Sequence, residues 1–281
     1  MTSTAGSTAV PAARRGVRPR GLAWTVLRVH RPALLVWCGY VLLMVGWMLW
    51  VHHVPGARLR AELAACRELE GGCVDVMTFS HSLTQSWIGT FVAYSSYGVA
   101  AWAGASLVGR ELERGTAQLA WAQSVSPARW LTARLAVPAV ALAAGTTVLV
   151  LVYRWFWSAS RDLRGDEWYY TDPFVNRGPA VLAYALCALA VGALAGIALG
   201  RALPALAVAL GFVLWFHLYL DDHWYELWPT GTGTGTGGSR LPEGYPAAHF
   251  WPLHLMTTGV TLTVAALATG AAYWLLRRRT R

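Results

Sequence analysis

Six apolar runs govern what this chain can fold into. They fall at about Leu34 to Val51, Trp87 to Val108, Leu131 to Phe156, Ala180 to Leu199, Ala202 to Leu220 and Leu255 to Leu276. At a rise of about 1.5 Å per residue, the shortest just covers a hydrocarbon core of about 30 Å and the longer ones can tilt. The pattern predicts an all-α, polytopic membrane protein with about six transmembrane helices. Composition agrees: 56% of residues are hydrophobic and only 13% charged, outside the range of an ordinary soluble domain.

The charges sort by side. A net charge of +9 could suggest a nucleic-acid partner, but the arginines gather in no single domain or amphipathic face. With the N-terminus inside, Arg14, Arg15, Arg18, Arg20, Arg28, Arg31, the arginines of the loop after the second run, Arg201, Arg277 to Arg279 and Arg281 all fall in cytoplasmic segments. This follows the positive-inside rule and makes both termini cytoplasmic. Nearly all the acids fall in the external loops, at about 52–85, 158–178 and 221–253. All 23 basic residues are arginine. Without lysine this chain holds no P-loop, so any coupled ATP hydrolysis must come from another polypeptide.

The one substantial cytoplasmic loop, about 109–130, begins GRELERGTAQLAWAQSVSPARW. It opens with alternating charge, breaks at Gly115, restarts with Thr116 placed as an N-cap, and ends with Ser126 and Pro127 as N-cap and N1. Two short helices at the membrane surface are predicted. From Glu113 to Leu135 the order E-x-G-T-x-x-L-x-W-x-Q-S-V-S-x-x-R-W-L-x-x-(K/R)-L resembles the cytoplasmic loop of type-2 ABC exporter permeases, especially actinobacterial ones. In that family the loop holds a coupling helix seated in a cleft of a separate ATPase subunit. The resemblance implies coupling roles for Glu113, Arg114, Gly115, Thr116, Gln123, Ser124 and Arg129. An ordinary inter-helix connection is the alternative.

Other segments carry weaker signals. Residues 1–20 are predicted to be disordered, and 21–281 to form the transmembrane domain. The rival reading of the first run as a signal peptide is opposed by its late start, its length and the lack of a small-x-small cleavage signal after it. GLAWTVLRVHRPA suits a short interfacial helix, the connecting helix of the family, or else an extension of the first span. Cys66 and Cys73 share an external loop and suit a small disulfide, while Cys38 and Cys187 lie in apolar runs. Pro138 should kink the third span. Gly192, Gly196 and Gly200 form a stripe for helix packing, within the subunit or between subunits. His217, Asp221, Asp222 and His223 have metal-like chemistry, but fall where aromatic belts and solvated charges are expected, and no metal site is assigned. The TGTGTGTGG run from Thr230 to Gly238 reads as a flexible linker.

The second and fifth spans of two such subunits enclose the substrate path in the resembling family. That places Phe91, Tyr94, Tyr97, Phe212, Trp215 and Phe216 on a candidate wall, aromatic and uncharged, suited to hydrophobic or amphipathic cargo. The expected assembly is a permease in a bacterial plasma membrane, paired with a second, homodimeric copy and a cytoplasmic ABC ATPase that carries ATP and Mg. This chain itself needs no cofactor and no nucleic acid. A sensor or assembly subunit, or an intramembrane enzyme, is the alternative. Mid-span positions offer almost none of the ionisable groups an intramembrane enzyme would use.

Overall fold

A computed structural model describes residues 26–66, 76–122, 125–164, 171–223, 227 and 249–280, and their regular structure is helical. After a helical turn over 26–29 come α1 (Arg31–His53), α2 (Pro55–Cys66) and α3 (Val76–Trp102), which passes into a π-helix over Ala103–Gly109. Then follow α4 (Arg110–Glu113), α5 (Thr116–Ala122), α6 (Pro127–Ala159), α7 (Arg161–Arg164), α8 (Thr171–Asn176), α9 (Ala180–Leu199), α10 (Ala202–His223) and α11 (Phe250–Arg279). The segment expected to be disordered, Cys73, Gln123, Ser124 and the Thr230 to Gly238 run lie outside the described residues.

Among the described residues, five helices are long and apolar enough to cross a membrane: α1 continued by α2, α6, α9, α10 and α11. The remaining run expected to span is α3. It has the length, but Thr84, Gln85, Ser86, Ser95 and Ser96 dilute its apolar content. It still traverses the bundle, from His81 beside Gly56 of α2 at one end to Trp102 against His30 at the other. It also begins at Val76, well before Trp87. Much of the stretch expected as an external loop from 52 to 85 is therefore helical, in α2 and the first turns of α3.

α9 is the centre. It is apolar on every face, as a helix enclosed by others should be, and it packs against α3 and its π-segment, α6, α10 and α11. Alanine and glycine dominate it, so neighbouring backbones come close. At Gly196 an added Cβ would lie 3.1 Å from the Gly109 nitrogen and the Val108 Cβ, so this glycine seats the π-segment within the subunit. Gly192 is also buried in α9. Gly200 departs from the stripe: at φ 62 it occupies the left-handed region and caps the helix, its N–H donating to the Gly196 carbonyl at 3.0 Å. The sequence spacing was right for a face, but the helix ends one residue too early for Gly200 to pack on it.

Both ends of α9 are tied down. At the end carrying most of the arginines, hereafter the basic end, the Arg279 guanidinium donates to the Ala198 carbonyl at 2.6 Å, satisfying a helix-terminal acceptor. At the far end His254 of α11 does the same for the N-terminus. Its Nε2 accepts from the Ala180 N–H at 3.1 Å, and its Nδ1 donates to the Phe174 carbonyl of α8 at 3.1 Å. The two bonds require the neutral, Nδ1-protonated tautomer. Gly178 lets the ring in, since a methyl there would collide with it. Asn176 adds a bond from Nδ2 to the Gly89 carbonyl at 2.8 Å, and Arg177 lies over the rings of Trp157 and Phe250 at 5.3 and 5.1 Å. Arg154 lies over Trp251 at 5.6 Å.

Pro138 sits inside α6, which runs without interruption from Pro127 to Ala159. Cys66 is disulfide-bonded, and Cys38 and Cys187 are free thiols.

His254→Ala removes two buried hydrogen bonds and strands a helix-terminal N–H, a loss of about 1–3 kcal/mol. Its thermal midpoint in detergent, read by size-exclusion fluorescence, is expected to fall by several degrees. Thr263→Ala, at an exposed position on the same helix, should leave it unchanged.

Candidate functional site

The loop after α3 folds back on the basic end of the bundle. α4 closes at Arg114, and Gly115 then adopts φ 70, with Gly115 N–H donating to Leu112 O at 3.2 Å. A glycine is favoured there because L side chains rarely take that conformation. α5 begins at once. Thr116 is not its N-cap, as the sequence suggested: its hydroxyl donates backward to the Glu111 carbonyl at 3.2 Å, so it fastens α5 to α4. Ser126 and Pro127 do start α6 as cap and first residue, Ser126 Oγ accepting from the Arg129 N–H at 3.4 Å.

One side of this loop is buried. Ala117 is fully enclosed, and Trp121 meets Trp130 of α6 edge-on with centroids 5.8 Å apart. Glu113 stays exposed but reaches the start of α10: its Oε2 accepts from the Ala202 N–H at 3.1 Å and so caps that helix. A carboxylate at a helix N-terminus is favoured by both the orphan N–H groups and the dipole. The opposite side is open, with Arg114 exposed and Leu119 at 65% exposure.

Beneath the loop lies a charge network that the sequence did not mark. Glu111 forms an ion pair with Arg134 of α6, both largely buried, and also accepts from the Trp130 side chain. Arg134 Nη1 donates to His30 Nε2 at 2.7 Å, and the His30 ring stands edge-on to Trp102 at 5.5 Å. Four pieces of chain distant in sequence thus share one cluster. Burial raises the Glu111 carboxyl from its ordinary value, with Arg134 and then the Trp130 bond opposing the rise. Burial, with the adjacent Arg134 charge, lowers His30 to about 4. The cluster ties the end of α3 and α4, on either side of the π-helix, to α6 and the N-terminal turn. A seven-residue π-helix at this point is itself unusual, because such segments are mostly single-turn bulges and often mark functional positions.

The aromatic residues expected to form one wall divide between two places. Phe91 and Tyr94 line a cavity between α1, α3 and α6. Tyr97 instead turns to α10, its hydroxyl 3.2 Å from His217 Nδ1, and Tyr184 of α9 stacks on the same imidazole with centroids 4.5 Å apart. Phe216 is buried and stacks on Phe212, while Trp215 is 58% exposed on the outer face of α10. Within one subunit these α10 residues do not line the cavity that Phe91 enters. His217 is enclosed by tyrosines, and among the described residues no three His, Cys, Asp or Glu side chains gather where a metal could be held. His223 Nδ1 meets the Tyr219 carbonyl at 2.8 Å.

The family described as ABC-2 membrane transporter related matches residues 38–222, a span that runs from within the first predicted apolar run to just past the fifth and includes the loop at about 109–130. The chain belongs to this family. It is a multi-pass membrane transporter subunit. Neither the curated proteins nor the solved structures contain a match.

The permease therefore carries its expected loop residues in two roles. Arg114 and Arg129 lie on the exposed side, Gly115 makes the turn, and Glu113 and Thr116 are spent on bonds within the chain. Gln123 and Ser124 lie outside the described residues. Glu111, Arg134 and His30 went unassigned because nothing local distinguishes a buried arginine from the surface arginines around it. The only sequence hint was the basic residue that closes the loop pattern.

Arg134→Met leaves Glu111 buried without its cation and should destabilise the permease by about 3–5 kcal/mol; adding Glu111→Gln should recover much of that, as thermal unfolding in detergent would show. His30 also predicts a pH dependence. Its folded value lies below the ordinary 6.5, so between about pH 6.5 and about pH 4 the unfolded chain binds the extra proton. Stability is present above that window and falls as pH drops through it. His30→Gln should flatten this limb of the unfolding profile.

Proposed function

We propose that this permease is the membrane subunit of an ATP-driven exporter in a bacterial plasma membrane, acting as a homodimer with two copies of a separate ABC ATPase. The basic end faces the cytoplasm, as the arginine distribution favours. ATP and Mg belong to the ATPase. The open side of α4 and α5 is the docking surface, and Leu119 is its apolar contact.

One observation carries the reading. In a chain of this family, a helix–turn–helix with an open outer side has its inner side bonded to separate spans: Glu113 to α10, Glu111 through Arg134 to α6, and Trp121 against Trp130. Movement imposed on the loop is thereby delivered to the starts of α6 and α10 together. Alternating access then follows from displacement of α10 relative to α3 in the two facing subunits. The aromatic surface of Phe212 and Trp215 on α10 suits a hydrophobic or amphipathic compound as cargo.

Docking and transmission are separable. Burying a leucine contributes about 1.5–3 kcal/mol, so Leu119→Asp should weaken recovery of the ATPase with tagged permease by tenfold or more. Glu113→Ala should leave the ATPase bound and reduce cargo movement in vesicles by at least tenfold, because α10 is uncoupled from the loop. Folded permease repeatedly recovered from native membranes without any ATPase would overturn the exporter reading and favour a sensor or assembly subunit.

A further inference from the structure

The cavity between α1, α3 and α6 has a volume of about 620 Å³ and lies at the basic-end halves of these helices. On α1 it spans Ala33 to Tyr40, on α3 Phe91 to Trp102, and on α6 Pro138 to Leu142. Along α3 this covers about 16 Å, close to half of a hydrocarbon core of about 30 Å, or one leaflet. Three polar side chains on its wall are already engaged. The Trp37 indole donates to the Ala141 carbonyl at 3.1 Å, the Tyr40 hydroxyl to the Phe91 carbonyl at 2.5 Å, and Ser95 Oγ to the Val92 carbonyl at 2.8 Å. A wall so largely apolar gives water few partners and suits hydrocarbon.

The cavity exists because α1 leans chiefly on α6. The Trp37 indole lies over Gly145, where a methyl would collide with it, whereas α1 meets α3 mainly through Tyr40 and Trp47. Val36 on the rim is 74% exposed, so the opening faces the bilayer side of α1. Arg31 is exposed one turn from Leu34 on the wall, at the end of the bundle that also carries Arg110, Arg114 and Arg277 to Arg279. Basic side chains at that depth attract an anionic headgroup.

We propose that this cavity is a lipid site, occupied by one acyl chain of an anionic phospholipid from the leaflet at the basic end, with its headgroup at Arg31. The chain fills the wedge between α1 and α3 and completes their contact. This site does not depend on the cargo or on the ATPase.

Gly98 offers a direct test, since a side chain there enters the cavity and meets nothing within 4 Å; Gly39, on α1 outside the cavity wall, is equally unobstructed and serves as control. Purified permease is reconstituted in vesicles of equal phosphatidylglycerol and phosphatidylcholine, extracted, and examined by native mass spectrometry. Wild type and Gly39→Leu should each retain one phospholipid, phosphatidylglycerol at least tenfold over phosphatidylcholine. Gly98→Leu, and Ala141→Phe as a second filling variant, should lower retention at least tenfold while eluting as folded protein. Arg31→Gln should keep a lipid but lose the headgroup preference. No retained lipid in wild type, equal retention of the two lipids, or undiminished retention in a folded filling variant would overturn the proposal.

Discussion

The bundle depends on close approach to α9. In an apolar surround no hydrophobic driving force draws one helix to another, so contact must come from packing and from bonds between polar groups. A helix made largely of alanine and glycine meets the first requirement by presenting its backbone. Its neighbours supply the second: Arg279 and His254 satisfy the two ends that an α-helix cannot satisfy by itself. The π-segment, α10 and α11 take their positions from this one helix. α3 is held to its neighbours by polar contacts, Tyr97 meeting His217 of α10 and Asn176 of α8 bonding to the Gly89 carbonyl of α3.

The same economy explains where polar side chains occur. Thr257, Thr258 and Thr261 of α11 bond back to carbonyls four residues earlier, and Trp37 and Tyr40 donate to carbonyls of neighbouring helices. These side chains bond to backbone within the bundle rather than to water. The charged exception is Glu111 with Arg134 at the basic end, a pair that costs desolvation on both sides. Its return is positional: it joins the N-terminal turn, the end of α3, the loop and α6 at one point. A loop built this way is bonded to the bundle at several points, which is what the proposed transmission from an ATPase to the spans requires.

Much of this was legible in the chain. Span lengths follow from hydropathy, since a run of that length has few other uses, and the arginines predict the side of each loop. The Ser126–Pro127 start of α6 is local chemistry, a hydroxyl cap followed by a residue that lacks the N–H a cap would satisfy. Gly115 announced a break for a similarly local reason. Thr116 misled because a hydroxyl after a glycine looks like a cap in sequence, whereas here the preceding carbonyl of Glu111 is nearer. Gly200 misled because spacing says which face a residue shares but not where the helix stops.

By itself the sequence determined that the chain is helical, that it crosses a membrane repeatedly, and that one loop is exposed beside basic residues. Those properties depend on local composition and period. Tertiary structure alone decided which charges are buried and with whom. Glu113 and Glu111 are two residues apart, yet one caps α10 and the other pairs with α6. It also decided that Phe91 and Tyr97 face different neighbours and that His254 completes a helix on which it does not lie. Each of these is a contact between residues dozens of positions apart, set by how helices lean on α9, and helical period carries no information about it.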